Sequence, residues 1–368
     1  MLSSSPLSDP LMGWPNDDLL LTEESRNRLQ ATRPRLLRVF DWPELRETFA
    51  CHDKPAGTWK RWSHRQGVGA VLFSGLGVIL LGLAPDGPSP AQQVVTGLAL
   101  GSMAIGGLTG VLHWGLLRSR HNWLGHRFWT ERLRQLHFQA LVSNIELASS
   151  AMSDDAAYDR LVQNRRLWLA DLYTDPGDPR ARIRAILQDR IEARTWIRHE
   201  WEEEQPLTSS SAEIDEILEG LYRLRLGTQA TYAEKNLGPD VYSPPTRSIY
   251  LRRTVDLCYL LVALIAVAAV ISTLAGQTML GFSVAFWAGV VAVASAIGLM
   301  AQSINQGLQN DAELDRYEWY AEEVGQSKSA YEAGDRQARI QALRRFEHIS
   351  YRELRSFLRA HSSARFTG

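Results

Sequence analysis

From Leu257 to Asn310 the chain runs for 54 consecutive residues without Asp, Glu, Lys, Arg or His. Two apolar runs lie inside this stretch, Leu257 to Ala275 and Met279 to Ala301, separated only by Gly276-Gln277-Thr278. As helices they reach about 28 and about 35 Å, and the hydrocarbon core of a bilayer is about 30 Å thick. Buried helices of soluble proteins usually show a polar stripe every third or fourth residue, and these runs show none. The pair therefore predicts two membrane-crossing helices.

A weaker pair lies upstream. Gln66 to Pro85 is uncharged, and Val94 to Leu117 holds only His113. Glycine is dense in both, which would weaken helices in water but allows close helix approach in lipid. The sequence thus predicts an all-α integral membrane protein with two transmembrane hairpins, four spans in total, and long amphipathic cytoplasmic helices. Lys54, Lys60, Arg61 and Arg65 precede the first hairpin, Arg118 to Arg134 follow it, and Arg247, Arg252 and Arg253 precede the second. Neither hairpin loop has a basic residue, so the N-terminus, the middle segment and the C-terminus are expected in the cytoplasm. The expected location is a bacterial inner membrane. Residues 1–34 read as an N-terminal arm, with Met1 to Pro15 expected to be disordered; 35–175 read as a first module with its hairpin at 66–117. Residues 176–246 read as a helical segment, 247–301 as the second hairpin and 302–368 as C-terminal helices.

Outside the spans the pattern is helical. Asp178-Pro179 predicts a helix start, with Ile183, Ile186, Leu187, Ile197 and Trp201 recurring on its face until Glu202 to Pro206. Ser210 and Glu213 form a capping box ahead of Ile214, Ile217, Leu218 and Leu221, and Gly238-Pro239 ends that helix. After the fourth span a charged helix is expected to continue straight toward Tyr331. Gly334-Asp335 then predicts a stop and a new cap, before a last helix carrying Ile340, Leu343, Phe346, Ile349, Leu354, Phe357 and Leu358.

Forty basic residues stand against 41 acidic ones, and that balance gives no reason to expect nucleic acid as a partner. Cys51 and Cys258 make neither a disulfide framework nor a metal site. The chain has no phosphate loop, HExxH, CxxC or nucleophile elbow. His121 and His126 are spaced poorly for shared ligation on a helix, and Glu200 and Glu202 to Glu204 read as a solvated run. No catalytic residue, metal or cofactor is expected.

The spans themselves carry a pattern. Gly281, Ala285, Ala288, Ala292 and Ser295 share one face, which Gln302 roughly continues. Gly106, Gly110 and His113 share a face of the second span, while Gly97, Gly101 and Ala104 share the opposite one. Small residues in such rows are either close helix contacts or the wall of a narrow water path. Two small faces on one helix predict two neighbours. Four helices do not enclose a wide pore, so a channel requires several chains.

The layout also repeats, with Trp129 to Gln135 after the first hairpin aligning loosely with Tyr320 to Gln326 after the second. Arg225, Gln229, Tyr232 and Lys235 fall in an R-x3-Q-x2-Y-x2-K helix, followed later by Tyr320-x2-Glu323 and Tyr331. Asp53 to Ala56 and the Arg127 to Arg134 segment, with Glu131 and Arg134, flank the first hairpin. This pattern resembles a tandem pair of SLATT domains, the two-helix membrane modules of prokaryotic conflict systems. Thr231 and Lys328 depart from it, standing where relatives commonly have tryptophan and an acidic residue. The resemblance implies a non-enzymatic effector that oligomerises with copies of itself and permeabilises or depolarises the membrane. Its trigger would be a partner that senses or synthesises a nucleotide signal. The rival expectation is a constitutive membrane scaffold that recruits cytoplasmic proteins and conducts nothing. An enzyme with its catalytic groups on the middle segment is a third.

Overall fold

The computed structural model describes residues 17–84, 89–112, 119–174, 183, 195–203, 212–240, 243–274, 284–364 and 366. All regular structure among them is helical. The chain divides into two compact units, interleaved along the sequence. The first comprises Met1–Ala56, Leu124–Gly238 and Asp315–Arg359, and the second Gly57–Trp123, Pro239–Leu314 and Ala360–Gly368.

The first unit opens with α1 (Glu23–Thr32), α2 (Pro34–Phe40) and the start of α3 (Pro43–Gly82). Asp17 ties the entry down: its carboxylate accepts from the Thr22 hydroxyl at 2.7 Å and from the Leu21 and Thr22 amides, and Thr22 then caps α1 through the Ser25 amide at 3.2 Å. Most of α5 (Ser119–Ser143), α6 (Ile145–Ser150) and α7 (Asp155–Thr174) follow. Next come α8 (Ala212–Leu221), a π-helical segment (Tyr222–Gly227) and α9 (Thr228–Leu237). Parts of α12 (Asn310–Ala333) and α13 (Arg336–Ser363) complete the unit. Ile214, Ile217, Leu218 and Leu221 are wholly buried, as their spacing requires, and Phe40 and Leu36 of α2 lie directly over Gly220. Asp335 caps α13 by accepting from the Ala338 amide at 2.9 Å, and the seven apolar residues expected on its inner face are all buried.

Two expectations fail here. The helix proposed from Asp178 falls largely outside the described residues, as does Ser210. Its last part, Thr195–Arg198, is bent, with only a short 3-10 turn at His199–Trp201. The cause is Gln139 of α5. Its amide oxygen accepts from the Ile197 amide at 2.9 Å and its nitrogen donates to the Thr195 carbonyl at 2.9 Å, so one side chain replaces the helical bonds. Trp196 is buried against α13 and donates to His348 at 3.1 Å. The other failure is the straight exit from the fourth apolar helix. Gln309 adopts a left-handed φ of 56° between α11 (Val284–Leu308) and α12, which breaks the run. Asn305, Asn310 and Asp311 hold the break: Asn310 donates to Asn305 and Asn305 donates to Asp311, both at 3.1 Å.

The second unit contains most of α3, α4 (Pro90–Val111), α10 (Pro244–Leu274) and α11. Ser89 caps α4 through the Gln92 amide at 3.1 Å, with Pro90 in the first turn. These four helices are each long and apolar enough to cross a membrane. Helix α3 touches both α4 and α11, running antiparallel to each: Gly77 faces Met103, Gly106 faces Ser74, and Gly75 faces Met300. On α10, the Cys258 side chain lies over Gly298 of α11, where an added Cβ would come within 3.2 Å of it, and Tyr259 donates to Gln302 at 3.3 Å.

Candidate functional site

Within the second unit, Gly106, Gly110 and Ala292 of the small-residue faces lie at helix contacts. A Cβ on Gly106 would collide with Ser74 and with the Ala70 carbonyl, and one on Gly110 would lie 3.8 Å from the Ala70 methyl. A Cβ on Gly289 would strike the Gly82 carbonyl, while one on Gly82 would come within 3.2 Å of the Ala292 methyl. Backbones this close exist only where side chains are missing. Ser102 adds an interhelical bond to the Phe73 carbonyl at 2.7 Å. Ser295 and Gln302 are half-buried, whereas Ala288 is exposed. His113 and Gly281 lie outside the described residues, as does the side chain of Ala285. The opposite face of α4 is different. A methyl group added at Gly97, Gly101 or Gly107 would meet nothing within 4 Å, so that face is open in a single chain.

The C-terminal segment belongs to the same unit. The Phe366 ring fills the space that side chains on Gly67 of α3 and Gly307 of α11 would need. Arg120 donates to the Ser362 carbonyl at 3.1 Å and to that of Ala364, and His361 meets Glu313 at 3.0 Å. One aromatic side chain thereby seats against two apolar helices.

In the first unit, the residues flagged around the two hairpins converge. Asp18, ahead of α1, accepts from Arg134 Nε at 3.1 Å, Arg225 Nη1 at 3.2 Å and Gln229 Nε2 at 3.3 Å. Glu347 accepts from the Nε and Nη2 of Arg225 at 2.9 and 3.4 Å. Glu131 accepts from Arg127 and Arg134, each at 2.6 Å, and Tyr320 donates to Gln229 at 3.1 Å. Arg225 also lies between the rings of Phe138 and Phe346, 4.7 and 5.2 Å from their centroids. Asp18, Glu131 and Glu347 thus balance Arg127, Arg134 and Arg225.

The π-helical segment explains how Arg225 gets there. A regular helix turns only every third or fourth residue inward, whereas the widened turn buries Leu224, Arg225 and Leu226 in succession. Burial alone would raise the Glu131 carboxyl, but Arg127 and Arg134 outweigh it and hold it at about 2. Burial works against the Arg134 charge, yet Asp18 and Glu131 raise its pKa. Burial pushes the Glu347 carboxyl upward, Arg225 opposes the shift, and Asp18 and Glu131 add to it. A carboxylate held near 2 is a poor proton carrier at neutral pH, and the buried groups are occupied with one another. The arrangement holds these segments together.

The structure thus brings Glu131, Arg134, Arg225, Gln229 and Tyr320 together. Tyr232 instead pairs its hydroxyl with Tyr317 at 2.9 Å, and burial raises its pKa. Tyr331 stacks on Tyr222 at 4.6 Å, Glu323 pairs with Arg345 at 3.1 Å, and Lys235 is exposed. Asp18 and Glu347, central to the network, are absent from the expected residues. Glu347 had a signal: it lies seven after Ile340 and four after Leu343, on the apolar stripe of α13, where an acid is out of place. His52 and His126 approach at 3.1 Å, but no group of three or more metal-ligating side chains occurs among the described residues. Comparison with known proteins returns no matching family model, no similar curated protein and no similar solved structure.

Proposed function

We propose that this protein is a four-span, two-hairpin membrane effector that assembles with its own copies and permeabilises the inner membrane when a partner signals. The observation that carries the membrane part is the uncovered apolar surface of the second unit. In α10, only 6% of the most apolar eighteen-residue window is buried, and Leu257, Leu264, Val267, Ile271 and Leu274 are all exposed. Water makes such a surface untenable, and lipid makes it favourable. The orientation draws support from the first unit. Segments before, between and after the helix pairs pack into one body, which supports placing them on the same side of a membrane that those pairs cross.

The effector part rests on the resemblance to tandem SLATT modules and on the open Gly97–Gly101 face of α4. That face is shaped for close approach of another span, and one chain supplies no such span among its described residues. Expression with and without a signalling partner, followed with a membrane-potential dye, tests this. Depolarisation that requires the partner and is lost in Gly101→Leu supports the proposal; sustained polarisation under every condition contradicts it.

The tight Gly82–Gly289 crossing favours a second reading, a scaffold that recruits proteins through its first unit and conducts nothing. Purified oligomers that never release ions from liposomes would select it.

A further inference from the structure

A groove of about 480 Å³ is lined by Trp319 of α12 and by Arg352, Arg355, Ser356 and Arg359 of α13. Its described lining therefore holds three guanidinium groups, one hydroxyl, one indole and no carboxylate. The arginines recur at steps of three and four on α13, which places them in one row on one helical face.

The neighbouring pairs show what is unusual about this row. Nearer the start of α13, Arg345 meets the Glu323 carboxylate of α12 at 3.1 Å. One turn nearer the start of α12, where that carboxylate would recur, stands Trp319, and Arg352 lies over its ring at 4.9 Å. Glu353, the acid adjacent to Arg352 in sequence, is turned the other way and pairs with Arg316. Ion pairing between α12 and α13 thus continues through Arg316 and Glu353, while beside it the groove presents a flat aromatic wall and a row of cations. Arg355 and Arg359 make interactions of their own within the chain, and Arg352 and Arg359 are exposed.

We infer that this groove binds a phosphate ester. Guanidinium forks match the oxygens of phosphate in bidentate geometry, are always charged and lose less hydration than ammonium groups. The Ser356 hydroxyl donates a further hydrogen bond, and Trp319 supplies an apolar wall for whatever the ester carries. The volume suits one small molecule or headgroup, and three cations are too few for a nucleic-acid track. Two sources supply this chemistry: a soluble phosphorylated metabolite, or the headgroup of an anionic lipid. Only the second rests on the membrane reading given above. It gains support from the sequence position of Trp319, eleven residues after Leu308, where the fourth apolar helix ends.

The test uses the full chain in nanodiscs and reads the thermal unfolding midpoint, which a ligand of the folded state raises. One arm adds sodium pyrophosphate to phosphatidylcholine discs, with sodium sulfate at equal ionic strength as the comparison. The other arm replaces part of the phosphatidylcholine with phosphatidylglycerol. A saturable rise with pyrophosphate beyond that with sulfate assigns the soluble source, and a rise confined to phosphatidylglycerol assigns the lipid. In either case the double variant Arg352→Ala/Arg359→Ala is expected to weaken the response about tenfold or more, equivalent to losing one charge-assisted contact or more. Trp319→Leu is expected to weaken it less, and Arg160→Ala, exposed on α7, not at all. Both double-variant positions are exposed, so their truncation is expected to cost the fold little, which the unliganded unfolding midpoint checks. No saturable rise in either arm, an equal response to sulfate, or a double variant that responds like the parent overturns the assignment.

Discussion

Asp18 accepts a hydrogen bond from Arg225 across 207 positions of the chain, at 3.2 Å, with both side chains buried. Few contacts bind more of the first unit at once, because Arg134 and Gln229 share the same carboxylate and Glu347 holds the other edge of the guanidinium. Removing one member of a buried, hydrogen-bonded ion group strands its partners in a dry interior. Asp18→Asn or Arg225→Met is therefore expected to destabilise the first unit by about 3–5 kcal/mol. Denaturant unfolding followed by tryptophan fluorescence measures this, and a loss below about 1 kcal/mol, typical of an exposed pair, would refute it.

The same unit is expected to lose stability in acid in two stages. His137 is buried against Phe40, Trp42 and Phe138, and neither ring nitrogen has a hydrogen-bond partner among the described residues. Burial, with Arg165 and Arg225 nearby, lowers its pKa well below 6.5, so it stays neutral when folded. The unfolded chain binds that proton first, and stability falls as pH drops below 6.5, by about 1.4 kcal/mol per pH unit for each such proton. Glu131, lowered from 4.5 to about 2, adds a second loss between those values. Glu347 works in the opposite sense, since its raised pKa favours the folded state once protonated. His137→Phe is expected to flatten the slope below pH 6.5, which unfolding midpoints across a pH series measure. An unchanged slope would show that His137 is not buried neutral.

Glycine substitutions in the second unit are expected to separate contacts within a chain from contacts between chains. Gly289→Leu drives a side chain into the Gly82 carbonyl, and Gly106→Leu into Ser74. Overpacking of this kind costs about 1–3 kcal/mol, read as a lower unfolding midpoint in detergent. Gly101→Leu meets open space and leaves the midpoint unchanged while reducing self-association in cross-linking. The reverse order of effects would reassign both faces.

At Gln309 the left-handed backbone imposes a strain of about 1–2 kcal/mol on any side chain, most severely on a β-branched one. Gln309→Val is expected to lower stability by about that amount, and Gln309→Gly to be neutral or slightly stabilising. If both variants behave alike, the break between α11 and α12 does not depend on that conformation.

The four apolar helices were legible because charge is absent over long stretches, a signal that no tertiary context erases. The inner faces of α8 and α13 were legible for a similar reason, since their apolar residues recur at helical spacing. The break at Gln309 was harder to read: the nearby Gly307 sits inside the last turn of α11 rather than at the left-handed position, and the Asn305–Asn310–Asp311 bonds that hold the break form only in the folded chain. The bend at Thr195–Arg198 is set by Gln139, some 56 residues earlier, which local periodicity does not register. The residues around the two hairpins could be flagged one by one, but their convergence on Asp18 is a property of packing. Asp18 lies in no periodic pattern, and only Glu347 stood out as an acid on an apolar face.

The effector proposal depends on four helices crossing lipid, with the two hairpin loops on one side and the remaining segments on the other. Replacing Cys51 and Cys258 with serine and introducing single cysteines at Gly87, Gln277, Glu203 and Ser363 allows labelling of intact cells with a membrane-impermeant maleimide. The expected result is labelling at Gly87→Cys and Gln277→Cys from outside, with Glu203→Cys and Ser363→Cys labelled only after the membrane is opened. Labelling of Glu203→Cys in intact cells, or recovery of the protein in the soluble fraction without detergent, would contradict it.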